Sequence, residues 1–249
     1  MQSTDDILKI NREYWNKRAI REKAEKEKWL KRIKSNAPYI EEMEPKLAPY
    51  LKDIVNKKII VLQFGDGLLM LACAKRGAIV WGVDFSDEQI RIAKNSAKYC
   101  GVNVKLVKAD CQNLPESIPN DYFDLAIAEC GVFLWIKDLD AWMKNAYKVL
   151  KKGGKLVVSD FHPLSIIAEE KEGGIVVFRR SYFDESPDVY QPKENEPPHV
   201  EFVWKFSDVI NSAIHAGFKI EYVEEYYVKK GEKKVPVIPT DFLLVGVKM

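Results

Sequence analysis

Five apolar runs of strand length, IIVLQF, AIVWGV, VNVKLV, FDLAIA and KLVVSD, recur between Ile59 and Asp160, separated by stretches of helical period. Runs this continuously apolar have no solvated face, so each strand must be covered on both sides by the segments between. The pattern predicts an α/β chain: a Rossmann-like, mostly parallel sheet with helices on both faces. Asp87 to Cys100 and Asp138 to Leu150 are the clearest helical stretches. In the second, Leu139, Trp142, Met143, Ala146, Val149 and Leu150 share one face, and Gly153-Gly154 reads as its stop.

The alternation ends at Asp160. Residues 162 to 205 carry prolines, aromatics and acids without a sustained period, too long a stretch for an ordinary loop, which predicts an inserted cap. Ser207 then reads as the N-cap of a helix carrying Val209, Ile210, Ala213 and Ile214, closed by Gly217. Two strand-like runs, FKIEYVEEYYV and DFLLVGVKM, follow, joined by a linker with Pro236 and Pro239. With no helix between them they must pair antiparallel. The first fifty residues are helical in pattern and densely charged, and Pro38, Pro45 and Pro49 break their end into short pieces. One domain is expected, with a helical lid (1–50), a cofactor-binding core (57–160), a substrate cap (162–205) and a C-terminal helix and hairpin (206–249).

Composition removes several classes. Hydrophobic residues make up 47%, which argues against a disordered chain, and no apolar run is long enough to span a membrane. The start, MQSTDDILKI, lacks the apolar segment of a secretory signal. Four cysteines, Cys73, Cys100, Cys111 and Cys130, show no metal-ligand spacing and read as reduced thiols, so a cytoplasmic protein without a bound metal is expected. Thirty-nine basic against 37 acidic residues is too even a balance to suggest nucleic acid as partner.

The stretch VLQFGDGLLMLACAKRGAIVWGVDFS, residues 61 to 86, joins the first two strands through Gly65-Asp66-Gly67. A dinucleotide fold requires a third glycine, where this chain has Met70, and Asp66 would repel a pyrophosphate. No Gly-Lys-Ser/Thr follows, so a P-loop is excluded. The aspartate suits a ligand that is cationic near the turn. S-adenosylmethionine has no phosphate and carries an ammonium, a carboxylate and a sulfonium. Backbone N–H groups at the helix start after Gly67 can serve its carboxylate, and Asp66 its ammonium. Alternatively, Asp66 caps the helix.

At this point the chain resembles the class I S-adenosylmethionine-dependent methyltransferases, particularly the small-molecule group with an N-terminal helical lid. VLQFGDG matches the first motif at Gly65 and Gly67 but has Gln63 where that family places an acid. Asp84, ending WGVDFS, matches the acid that accepts both ribose hydroxyls, a bidentate charge-assisted contact. In VKADCQNLP, the resemblance places Asp110 at the adenine amino group and the backbone N–H of Cys111 on the ring, with Phe85 and Leu114 as candidate walls. In the segment DLAIAECGVFLW it places Glu129, Cys130 and Gly131 along the methyl-transfer gap. NREYWNKRA resembles the family's lid helix. Tyr14, Trp15 and Arg18 share one face there, either covering sulfonium and carboxylate or pinning the helix to the core.

The implied activity is methyl transfer to a small organic molecule (EC 2.1.1 class), with S-adenosyl-L-methionine as cofactor and S-adenosyl-L-homocysteine as product. A general base is needed only for an acceptor that keeps its proton at neutral pH. His162, just past the fifth strand, and Glu129 are the candidates, with anchoring of the insertion as the alternative for His162. A tRNA or protein methyltransferase, and a non-catalytic S-adenosylmethionine-binding protein, are the competing readings. The residues select neither the acceptor atom nor an oligomeric state.

Overall fold

The structure, a computed structural model, describes residues 4–21, 23–171, 174–193, 196–227 and 237–249. Three helices come first: α1 (Thr4–Arg21), α2 (Lys23–Lys34) and α3 (Tyr39–Met43). The core then alternates β1 (Lys58–Leu62), α4 (Leu68–Lys75), β2 (Ile79–Asp84), α5 (Asp87–Cys100), β3 (Val104–Lys108), β4 (Phe123–Glu129), α6 (Leu139–Val149) and β5 (Leu150–Phe161). Next come α7 (Pro163–Ile167), the hairpin β6 (Ala168–Lys171) and β7 (Ile175–Phe178), and a second hairpin, β8 (Asp188–Tyr190) and β9 (His199–Glu201). Helix α8 (Phe206–Ala216) and strands β10 (Phe218–Tyr226) and β11 (Asp241–Lys248) complete the chain. Pro236 of the expected linker lies outside the described residues. Among the described residues, no helix is long and apolar enough to cross a membrane.

The central sheet runs β3-β2-β1-β4-β5-β11-β10. Strands β1 to β5 pair in parallel, and β11 lies antiparallel between β5 and β10. Successive strand residues feed opposite faces. Ile59, Val61, Leu125 and Ile127 join the apolar cluster beneath α4 and α5, and Ile60, Leu62, Ala126 and Leu156 join the one beneath α6. Burial on both faces is why these strands read as continuous apolar runs. Strand order reverses between β1, which pairs with β2 on one side, and β4 on the other. At that point the carboxyl ends of the strands open a crevice, the usual place for a ligand in such sheets.

Local signals mostly act where they fall. The Ser86 side chain accepts from the Gln89 N–H at the start of α5, and Asp138 from Ala141 at the start of α6. Two boundaries differ from the sequence reading. Helix α6 ends at Val149 without a glycine stop, because the N–H groups of Asp121 and Tyr122 take the carbonyls of Lys148 and Val149. Gly153 and Gly154 instead lie within β5. Helix α8 begins one residue before Ser207, and the Asp208 carboxylate accepts from the Lys205 backbone N–H at 3.0 Å.

The insertion packs against the first helix through β9. Asn11 bridges them, its Nδ2 donating to the Val200 carbonyl (2.9 Å) and its Oδ1 accepting from the Val200 N–H (2.8 Å). Helix α2 packs on α4 and α5, and Ile33, Ile40, Leu47 and Leu51 join the core, so the charged N-terminal segment is seated.

Candidate functional site

The glycine turn is shaped by its neighbours as much as by its own residues. Gly67 enters α4 in the left-handed region (φ 75°), a conformation that strongly favours glycine. Gln63, at φ 53°, accepts the Trp142 indole N–H at 2.8 Å and donates to the Val132 carbonyl at 3.3 Å. An ionised carboxylate could accept but not donate, so a glutamine satisfies both contacts at this position. Asp66 Oδ1 accepts from the Leu68 N–H at 2.9 Å, an Asx turn that leads into α4, whose N-cap is Gly67 and not the aspartate.

Asp84 stands at the crevice, 4% exposed. One carboxylate oxygen accepts from the Gly65 N–H at 3.1 Å and the other from Ser86 at 2.9 Å. Burial pushes its pKa up to about 7, against the opposing pull of the backbone N–H groups of Ser86, Gly65 and Phe85 and of the Lys26 ammonium. A carboxylate has about four lone-pair sites, so it keeps capacity for a further donor beside these backbone groups. The residues present fit the ribose of the implied cofactor.

Asp110 follows β3 half-buried, and accepts from the backbone and side-chain N–H groups of Gln112. Gln112 Oε1 in turn accepts from the Lys137 and Asp138 N–H groups, tying this loop to the start of α6. Phe85 is half-buried beside Asp84. Cys111 is buried in the core, and its thiol is pushed well up by burial, so only its backbone is a candidate for ligand contact.

The carboxyl end of β4 holds a close group of titratable side chains. Glu129 is hydrogen-bonded to Glu44, from just after α3, and both lie close to Cys130. Burial pushes Glu44 up to about 7, against its hydrogen bond to Glu129. Glu129 is raised well above the usual carboxylate range by burial, then by the charges of Glu44 and Asp66. Two hydrogen-bonded carboxyls with raised affinity hold a shared proton near neutral pH. Cys130 is an exposed residue, yet desolvation and the charges of Glu129, Glu44, Asp160 and Asp66 keep its thiol protonated.

Asp160, at the end of β5, fixes the loop after β4. It accepts from the N–H groups of Gly131, Val132 (3.1 Å) and Phe133 (3.0 Å), and burial pushes it up to about 6. The sequence reading passed over it, although KLVVSD ends in an acid as WGVDFS does. Glu44 gave no signal, because it lies in a proline-broken stretch without periodicity.

The lid residues gather on an aromatic patch. Tyr14 stacks on Trp135 (5.4 Å) and lies 4.1 Å from the His199 ring, and Trp15 meets Trp135 edge-on at 5.1 Å. Arg18 lies over Trp15 at 4.8 Å. Asn16, which no pattern marked, ties α1 to the helix after Asp84: its Oδ1 accepts from Ser86 Oγ at 2.7 Å and from the Glu88 N–H at 3.2 Å. Lys26 of α2, 7% exposed, donates to the Asp66 carbonyl.

His162 is committed to the insertion. Its Nδ1 accepts from the Leu164 N–H at 3.2 Å, capping α7, and Nε2 lies 2.9 Å from the Glu225 carboxylate of β10. The Nδ1 contact is the one the anchoring alternative expects, and Glu129, the other candidate base, stands at the carboxyl end of β4. An open groove of about 570 Å³ between α6 and α8, lined by Lys137, Asp138, Trp204 and Asp208, includes no residue of the glycine turn.

Residues 59–154 match the methyltransferase domain family. The chain is 36% identical over 109 residues to a demethylmenaquinone methyltransferase of Thermus thermophilus, covering 43% of this chain and 48% of that one. It is 36% identical over 104 residues to a ubiquinone biosynthesis O-methyltransferase of Coxiella burnetii, covering 41% and 43%. The chain thus spans about half the length of the curated relatives it matches. Among solved structures, an S-adenosylmethionine-dependent methyltransferase from Mesorhizobium loti superposes with a TM-score of 0.65 at 21% identity, covering 82% of this chain and 96% of that one. One from Clostridium acetobutylicum superposes with a TM-score of 0.59 at 19% identity, covering 82% and 87%. At these identities the structural likeness speaks to the fold.

Proposed function

We propose that the chain is a class I S-adenosylmethionine-dependent methyltransferase that methylates a small organic molecule, a reading supported by the methyltransferase-domain match over residues 59–154. The observation that carries this reading is Asp84, buried at the strand-order reversal and bonded to the Gly65 N–H of the glycine turn. Relatives named for demethylmenaquinone and ubiquinone biosynthesis support a small acceptor over a macromolecule.

The bound cofactor supplies an electrophilic methyl group on its sulfonium. In this reading, Asp84 accepts the ribose hydroxyls, while Asp110, the Cys111 backbone and Phe85 hold the adenine. Gly65 and Gly67 let the backbone approach, and the carboxylates of Asp66 and Glu129 favour the positive charges. Tyr14, Trp15 and Arg18 close the lid with residues 162–205, excluding water from an aligned transfer. Glu129, with Glu44 as its proton-sharing partner, removes the proton from a hydroxyl or ammonium acceptor.

Incubation with methyl-labelled S-adenosylmethionine and either a metabolite extract or total tRNA tests the proposal. Label is expected in a low-molecular-weight product. Label in tRNA or protein, or cofactor binding without transfer to any fraction, would overturn it.

A further inference from the structure

Where the amino-acid end of the cofactor binds is set by a side chain that no motif marked. The sequence reading gave its carboxylate to the N–H groups at the start of α4, but the Leu68 N–H there already donates to Asp66 Oδ1. The Asp66 charge also acts on Glu44 and Glu129. An incoming carboxylate therefore meets one anion at the turn and the proton-sharing Glu44–Glu129 pair beside it, and needs a cation at the same place. Arg18, the cation expected from the lid, lies over the Trp15 ring.

Helix α2 brings another. Its inward face is Lys26, Trp29, Leu30 and Ile33, spaced i, i+3, i+4 and i+7. Trp29 and Leu30 pack against the core and Ile33 is 1% exposed, whereas Lys28, Lys31 and Lys34 are exposed. Lys26 is thus a lysine at a core-facing position, although its helix offers solvent on its other faces. Its ammonium donates to the carbonyl of Asp66 within the glycine turn, and its charge is felt by Asp84. Burying an ammonium is costly unless it is hydrogen-bonded and close to negative charge, which the Asp66 carbonyl and Asp84 supply here, and the same placement puts a cation at the turn where an incoming carboxylate needs one.

We propose that Lys26 is a cofactor-binding residue that receives the α-carboxylate of the cofactor's amino-acid moiety. The proposal rests on the methyltransferase reading above. It divides the crevice by charge: Asp66, Glu44 and Glu129 face the cationic groups, and Lys26 faces the anionic one. Because Lys26 belongs to α2, docking of the lid and recognition of an intact amino-acid tail become one event.

Calorimetric binding of S-adenosylhomocysteine and of decarboxylated S-adenosylhomocysteine to the full chain tests it, using wild type, Lys26→Met, Lys26→Arg and Arg18→Met. Methionine keeps the buried aliphatic stem and removes the charge. Wild type is expected to prefer the intact ligand by about tenfold or more, the usual worth of a charged hydrogen bond. Lys26→Met should erase that preference by weakening the intact ligand alone, Lys26→Arg should restore most of it, and Arg18→Met should leave it in place. Equal weakening of both ligands by Lys26→Met would show a merely structural role. Unchanged or tighter binding would show a plug that the cofactor displaces, and loss of the preference in Arg18→Met would assign the carboxylate to Arg18. Each of these overturns the proposal, whereas a wild-type chain that binds neither ligand overturns the methyltransferase reading itself.

Discussion

Met70 packs directly over Gly82, so that a β-carbon on Gly82 would overlap the Met70 sulfur and come within 2.8 Å of the Phe64 ring. Met70 occupies the position where a dinucleotide fold has its third glycine. The space that glycine leaves on the helix in such folds is left here on strand β2 instead, so α4 approaches the sheet by a different route. Gly82→Ala is therefore expected to destabilise the fold by about 1–3 kcal/mol through overpacking. Pairing it with Met70→Ala should recover part of the loss, measured by denaturant unfolding. Additive losses in the double variant would contradict the packing relationship.

The Glu44–Glu129 pair predicts a pH-dependent rate. Both carboxyls are raised, Glu44 to about 7 and Glu129 well above the usual carboxylate range, so the pair gives up its first proton near neutrality and its shared proton only as pH rises further. For an acceptor that must lose a proton, kcat should rise over the same range. Glu129→Gln should lower kcat by roughly 10²-fold or more. Glu44→Gln removes a neighbouring negative charge, lowers the Glu129 pKa and moves the rising limb to lower pH. A limb at the same pH in Glu44→Gln would separate Glu129 from the chemistry.

Asp84 predicts linkage between protons, stability and cofactor. Its folded pKa of about 7 lies above the value of 3.8 in the unfolded chain, so the native state binds more protons between these limits. Its stabilising effect is complete below about pH 4 and is lost as pH rises through about 7. Ribose hydroxyls that donate to the carboxylate favour its charged form. S-adenosylhomocysteine should therefore bind more tightly as pH rises toward 7 and release protons near pH 6.5. Calorimetry in two buffers of different ionisation enthalpy reads that release directly, and equal heats in both would contradict it.

Asn11 predicts how firmly the cap is held. Its amide makes both hydrogen bonds between α1 and β9, and Asn11→Ala would leave the Val200 N–H and carbonyl buried without those partners. Unsatisfied buried groups cost about 1–3 kcal/mol each. Hydrogen exchange should rise in residues 4–21 and 199–201 while β1 and β4 remain protected. Uniform protection across the chain would show that Asn11 does not control docking.

Much of this was legible in the chain because it depends on local chemistry. Strands buried on both faces leave continuous apolar runs, and Ser86, Asp138 and Gly217 act as caps through their own side chain or backbone. What escaped depends on partners far along the chain. The end of α6 is set by N–H groups of Asp121 and Tyr122, so the glycine pair downstream misled the reading. Gln63 makes sense only beside Trp142 and Val132. Dense charge around Lys26 and Glu44 hides the two residues that turn inward, although the spacing of Lys26 from Trp29 and Leu30 is that of a buried face.

The central claim is that Asp84 anchors an S-adenosyl ligand in the crevice at the strand-order reversal. Calorimetric titration of S-adenosylhomocysteine into wild type and Asp84→Ala tests it most directly. Saturable one-to-one binding is predicted for wild type. Binding at least about tenfold weaker is predicted for the variant, from loss of a charged hydrogen bond of about 1.5–3 kcal/mol. A folded Asp84→Ala chain that binds as tightly as wild type would contradict the account.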